Sequence, residues 1–191
     1  MILINRAFIL LARGLRVASL SLLIFAGCTS DASNNCPVFY EFNYNDYIDD
    51  MFTSCLDRQY NNQDIVVNSE KIDIEYVKQI SHFIQYDIKY EKEVEDYWQS
   101  SSETLNRMAG DCDDKALYAY FSFREKRFDD RCIGLALILI NKQDKSYLHM
   151  ATTVVIDGEQ FVLSGGNMVS INEYIGTEKE LLLEFSIMDY I

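Results

Sequence analysis

Residues 110–142 read GDCDDKALYAYFSFREKRFDDRCIGLALILINK, and a change of texture inside them decides the fold class. Gly110 breaks the chain, and the pattern predicts a helix from about Cys112 to Phe128. Ala116, Leu117, Tyr120, Phe121 and Phe128 fall along its inner side. After Asp129-Asp130 the periodicity is lost. Cys132 to Ile140 is an almost continuous apolar run, as expected of a buried strand. Asn141 to Lys145 reads as a turn and Tyr147 to Ile156 as a second strand. Asp157-Gly158 is a hairpin turn into a third strand, Phe161 to Leu163. Residues 181–187 predict a fourth.

Upstream the chain is helical. Tyr47, Ile48, Met51, Phe52, Cys55 and Leu56 follow the rhythm of one buried helix face, with Asp46, Asp49, Asp50 and Asp57 mainly off it. Residues 65–69 look extended. Val77, Ile80, Ile84 and Ile88 mark one face of a helix over about residues 71–90, with His82 off the stripe as a partly exposed structural histidine. Ser101 to Met108 suit a short helix with Ser and Glu in its first turn. Helices first and antiparallel strands afterwards make an α+β domain.

The N-terminus has a different composition. Residues 1–27 contain Arg6, Arg13 and Arg16, no acidic residue, and an apolar run from Val17 to Ala26. That run is too short to span a bilayer, which needs about 20 apolar residues. With small residues at Ala26-Gly27 before Cys28, it reads as an export signal. The ending resembles a lipoprotein signal, which implies acylation (palmitate) of Cys28 as the new N-terminus. Phe25 departs mildly from that pattern, and an ordinary signal peptide or an uncleaved anchor is the alternative. Thr29 after the Cys implies the outer membrane, with the protein facing the periplasm. The expected organisation is a signal over 1–27, a polar tether over 28–35 and one domain over 36–191.

The remaining 164 residues are strongly acidic, with 14 basic residues against 30 acidic ones and a formal charge of −16. Phosphate contacts need Lys and Arg, so nucleic acid is excluded as a partner. Tight binding to anionic lipid heads is disfavoured for the same reason. A monomer joined to the membrane through its lipid is expected. Outside the cytosol a structural disulfide is permitted. Cys36 with Cys55 would tie the N-terminal segment down, but spacing leaves the pairing among Cys36, Cys55 and Cys132 open. Cys132, opening an apolar strand, reads as a buried thiol. There is no Cys-x-x-Cys and only two histidines, His82 and His149, so a structural zinc site is not expected.

Cys112 is the residue that carries chemistry. The first turn of a helix has free N–H groups and a positive dipole end, which favour a thiolate and an oxyanion. Asp111, Asp113 and Asp114 oppose this by repulsion. They act as helix caps, or a bound cation neutralises them; carboxylates suit calcium. His149, in a downstream strand, is the candidate proton acceptor.

The order Tyr97-Trp98, Glu103-Thr104-Leu105, Gly110-Asp111-Cys112-Asp113-Asp114, His149 heading an apolar strand, Asp157-Gly158 and Phe161-Val162-Leu163 resembles the bacterial transglutaminase-like cysteine proteinases. The resemblance covers about residues 65–170. It implies a papain/transglutaminase-like fold, with the nucleophile at a helix N-terminus packed on an antiparallel sheet. It further implies a cysteine peptidase acting on a protein or peptide, with Cys112 as nucleophile and His149 as base. Where the family has an Asp after its third strand, this chain reads Leu163-Ser164-Gly165-Gly166-Asn167. Ser164 stands at the acid's place. Asn167 is the other candidate to orient His149, because counting through the hairpin puts residues near 166–168 opposite it. Asp157 is excluded by its distance along the strand, well over about 20 Å. Some members bind calcium through the acids flanking the Cys, which Asp111 and Asp113 match. Trp98 is expected to pack in the core rather than line the cleft. Two other functions stay open: transfer of the acyl group to an amine, and a non-catalytic binding lipoprotein with a degenerate triad.

Overall fold

The helix-to-sheet switch is the organising feature of the computed structural model, which describes residues 46–61, 63–93, 97–142, 145–164 and 166–190. The signal, the tether, Cys28 and Cys36 lie outside the described residues.

The first helix, α1 (Asp46–Tyr60), buries Ile48, Phe52, Cys55 and Leu56 on one face, as the periodicity requires. The second, α2 (Ile74–Tyr86), is shorter than predicted at both ends. Asp73 accepts from the N–H groups of Glu75 and Tyr76 and so caps it. At the other end Lys89 N–H donates to Met108 O, drawing the chain into a two-residue strand, β1 (Lys89–Tyr90), parallel to β2 (Ala109–Gly110). Between them lies α3 (Ser101–Arg107), closed by a capping box of Ser100 and Glu103. The central helix, α4 (Cys112–Glu125), begins where predicted and ends three residues early. Arg127 takes a positive φ of 59° and Phe128 bridges to Glu70.

Five strands follow: β3 (Ile133–Lys142), β4 (Lys145–Ile156), β5 (Glu159–Ser164), β6 (Asn167–Ser170) and β7 (Lys179–Phe185), with a single turn α5 (Ile171–Tyr174) before β7. Their order is β6-β5-β4-β3-β7, with every pairing antiparallel. A register shift at Leu137/Ile138 marks a bulge where β7 meets β3. The extended segment at 65–69 forms no strand. It is stapled by the buried Arg124–Asp130 pair (2.7 Å): Arg124 also donates to Val66 O, and Asn68 N–H donates to Asp130.

The strand pleat sorts the sheet's two faces. Met150, Val154, Leu135, Leu163, Leu183 and Phe185 join α1, α2 and α4 in the main core. The Thr152 hydroxyl donates to Ala116 O (2.7 Å) and locks β4 to α4. The opposite face buries Ala136, Ile138, Ile140, Ala151 and Val162 beneath Ile171, Tyr174, Ile175 and Leu181. Trp98 is 2% exposed and stacks on Phe185, so it is a core residue as expected. His82 is exposed and lies against Tyr86, with ring centroids 4.4 Å apart.

The cysteines correct one expectation. Cys132 is not a buried thiol; it is disulfide-bonded, and its partner lies outside the described residues. Cys55 is a free thiol with no exposure, so a Cys36–Cys55 bridge is ruled out. No helix among the described residues is long and apolar enough to cross a membrane.

Candidate active site

Cys112 is the first residue of α4 and Asp111 its N-cap. Gly110 is required before them: a Cβ there would lie 2.5 Å from Asp114 Cβ, so no side chain fits. Asp114 occupies that space and is fully buried. It accepts from Gln99 N–H (2.8 Å), the Gln99 side-chain amide (2.6 Å) and Asp111 N–H (3.2 Å). The turn carrying Cys112 is thereby tied to the segment after Trp98. Burial, with the charges of Glu93 and Asp111, pushes the Asp114 carboxyl up to about 7 against the pull of its N–H donors.

The Cys112 thiol is also pushed up, first by burial and then by Asp111 and Asp114. The backbone N–H groups of Met150 and of Cys112 itself pull the other way. The thiol therefore faces β4 at the residue next to His149. Burial, reinforced by the charge of Lys179, holds the His149 imidazole below 6.5. Both shifts favour the neutral forms, a thiol and an uncharged imidazole.

Cys112 and His149 line one cavity of about 660 Å³, with Lys115 and Ala116 from α4 and Ser164 and Gly166 from the β5–β6 turn. Residues 84–90, from the end of α2 into β1, also line it. The β4 pleat gives Met150 to the α4 side and His149 to the other. Both candidates nevertheless line the same cavity. Among the described residues no hydrogen bond joins them directly.

The structure separates the two candidate orienters. Ser164 lies two residues beyond Val162, which pairs with Thr153, so it shares the His149 face. Its hydroxyl is engaged with Tyr174 Oη (3.0 Å). Asn167 opens β6 opposite Ser164, one strand further out than the hairpin count placed it, and is not part of the cavity wall. The count assumed that β5 continued, whereas the chain turns at 164–167. Among the described residues His149 makes no hydrogen bond. Asp157 sits in the hairpin turn at the far end of β4, as its sequence distance required.

Asp111, Cys112 and Asp113 bring their ligand atoms within 4.8 Å of one another. The two carboxylates suit a hard cation such as calcium; the sulfur does not. Asp113 also accepts from Asp114 N–H (3.1 Å), so helix capping and cation binding are compatible in one geometry.

Three neighbours escaped sequence reasoning. Lys115 was legible, because residues i and i+3 share a helix face and it therefore overlies Cys112. Tyr174 and Lys179 were not, since only the sheet order brings them near His149. Lys179 Nζ stands 3.6 Å from the centre of the Tyr174 ring.

Comparison with solved structures shows the same arrangement of helices and sheet. LapG of Legionella pneumophila in its calcium-bound form matches with a TM-score of 0.51 at 17% identity, over 61% of this chain and 67% of that one. Its EGTA-treated form gives 0.52 at 16%, over 62% and 66%. The likeness spans about two thirds of LapG and, at this identity, speaks to the fold alone. No curated protein sequence compared with the chain matches it. A family model described as a transglutaminase-like domain matches residues 56–188, which is 133 of the 191. With a helix headed by Cys112 packed on an antiparallel sheet, and with that match over more than half its length, the chain belongs to the transglutaminase-like domain family.

Proposed function

We propose that this is an exported, lipid-anchored hydrolase of the cysteine peptidase type. The observation that carries the reading is the shared cavity, which Cys112 at the head of α4 and His149 on β4 both line. His149, neutral at pH 7, takes the thiol proton as sulfur adds to a peptide carbonyl carbon. It passes that proton to the amide nitrogen as the C–N bond breaks, leaving a thioester on Cys112. Water, deprotonated by His149, then releases the acid and restores the thiol. Asp111 and Asp113 are the residues to hold calcium, which would offset the Asp111 field that raises the thiol.

The test is covalent labelling of the full-length protein with a peptide aldehyde or vinyl sulfone, read by mass spectrometry. The expected result is a single adduct on Cys112, none on Cys55, lost in Cys112→Ala and in His149→Ala, and formed faster in calcium than in EGTA. Labelling of Cys112 and Cys55 at equal, slow rates would sink the reading. One observation favours a second reading, a binding domain that keeps the fold without turnover: no acceptor orients His149 among the described residues, and Lys179 opposes its protonation. An adduct that depends on His149 excludes it.

A further inference from the structure

We propose that Lys115 makes the Cys112 cavity selective for carboxylates, so that its substrates are peptides presenting an acidic side chain or a free C-terminus next to the bond attacked. This rests on the reading of the cavity as the substrate site.

Lys115 lies three residues after Cys112 on α4, about 4.5 Å further along the axis, and lines the same cavity. Apolar Ile84, Ala116, Met150 and Leu163 line the cavity with it. The residue is half-buried, and its ammonium makes no ion pair or hydrogen bond among the described residues. Among the described residues Lys92, Lys126, Arg127, Lys142, Lys145 and Lys179 also lack a carboxylate, and Lys115 differs from them in lining this cavity. The other seven described basic residues, Lys71, Lys78, Lys89, Arg58, Arg107, Arg124 and Arg131, find carboxylates. Asp87, which also lines the cavity, is exposed and does not come within ion-pair distance of Lys115. An ordinary helix lysine sends its charge out to water. This one lines a cavity, where an unpaired, partly desolvated charge gains from a ligand carboxylate. At about 3.3 Å per residue of extended peptide, that carboxylate belongs one or two residues from the carbonyl that Cys112 attacks.

The experiment measures binding by full-length Cys112→Ala protein, which cannot form the adduct. Three fluorescent probes share an alanine pentapeptide frame: one with a central Glu and an amidated end, one with a central Gln and an amidated end, and an all-Ala peptide with a free C-terminal acid. Either carboxylate probe should bind about tenfold tighter than the Gln probe, and which one does identifies the source of the acid group. Lys115→Met should abolish that preference and Lys115→Arg should keep it, which separates lost charge from lost folding. Equal affinity for all three probes, no binding at all, or a preference that survives Lys115→Met overturns the inference. Adduct formation on Cys112 without a carboxylate preference removes this inference and leaves the reaction standing. A preference without any adduct does the reverse.

Discussion

The imidazole of His149 lies where a positive charge approaches it and, among the described residues, no acceptor does. Its protonated form is therefore disfavoured, and it stays neutral to a pH below its ordinary 6.5. The sign follows for both activity and stability. The base is available at pH 7 and is lost only at lower pH. Because the unfolded chain binds that proton more readily, stability also falls as pH drops below 6.5. Lys179→Gln should raise the His149 pKa, and Ser164→Asp, which restores a carboxylate on the same face, should raise it further. The chain has two histidines, so a two-dimensional NMR titration of the ring protons reads His149 against His82 as a control. An unchanged midpoint in both variants would show that neither residue acts on the ring. The residue-scale site was half legible. Cys112 announced itself through Gly110 and the helix that follows. Ser164 was named from its place after Leu163, but its engagement with Tyr174, ten residues on, was not legible, since no local pattern pairs them.

Elements place these residues more tightly than local propensity does. The turn from β5 to β6 brings Ser164 and Gly166 into the cavity wall, and its approach to α2 leaves no room. Gly166 has a φ of +76°, and a Cβ there would meet Gln85 Cβ and Cγ at 2.7 Å. Gly158, in the β4–β5 hairpin, has a φ of +82° and nothing within 4 Å. Gly158→Ala therefore bears only the left-handed backbone cost, about 1–2 kcal/mol. Gly166→Ala adds a steric clash and should cost about 1 kcal/mol more, seen as a lower urea midpoint. Equal midpoints would mean that α2 yields freely. The predicted helices and strands were recovered because their periodicities differ, 3.6 against 2. Their ends were not: α2 stops where Asp73 and the Lys89–Met108 hydrogen bond compete for its backbone, a long-range contact that no local window contains. The short strand β6 also escaped, since Asn167–Ser170 has no alternation strong enough to separate it from a loop.

At the scale of the molecule, Cys132 is disulfide-bonded, a bond that an oxidising compartment permits. The lipid anchor remains a reading of residues 1–28. It predicts that a clickable palmitate analogue labels the protein in cells, and that Cys28→Ser loses both the label and the membrane fraction. A wild-type protein found unlabelled in the soluble fraction would rule the anchor out. What the sequence determined by itself was the order of elements, the face each one buries and the position of Cys112. These follow from periodicity, from glycine and from the free N–H groups at a helix start, all within a few residues of chain. Only the tertiary structure decided which residues surround the nucleophile. Strand order puts Asn167 one strand too far and engages Ser164 with Tyr174. It also sets Lys179 against His149 and leaves Lys115 without a carboxylate partner. Those neighbours are separated by tens of residues, and it is the pairing of strands that brings them into one wall.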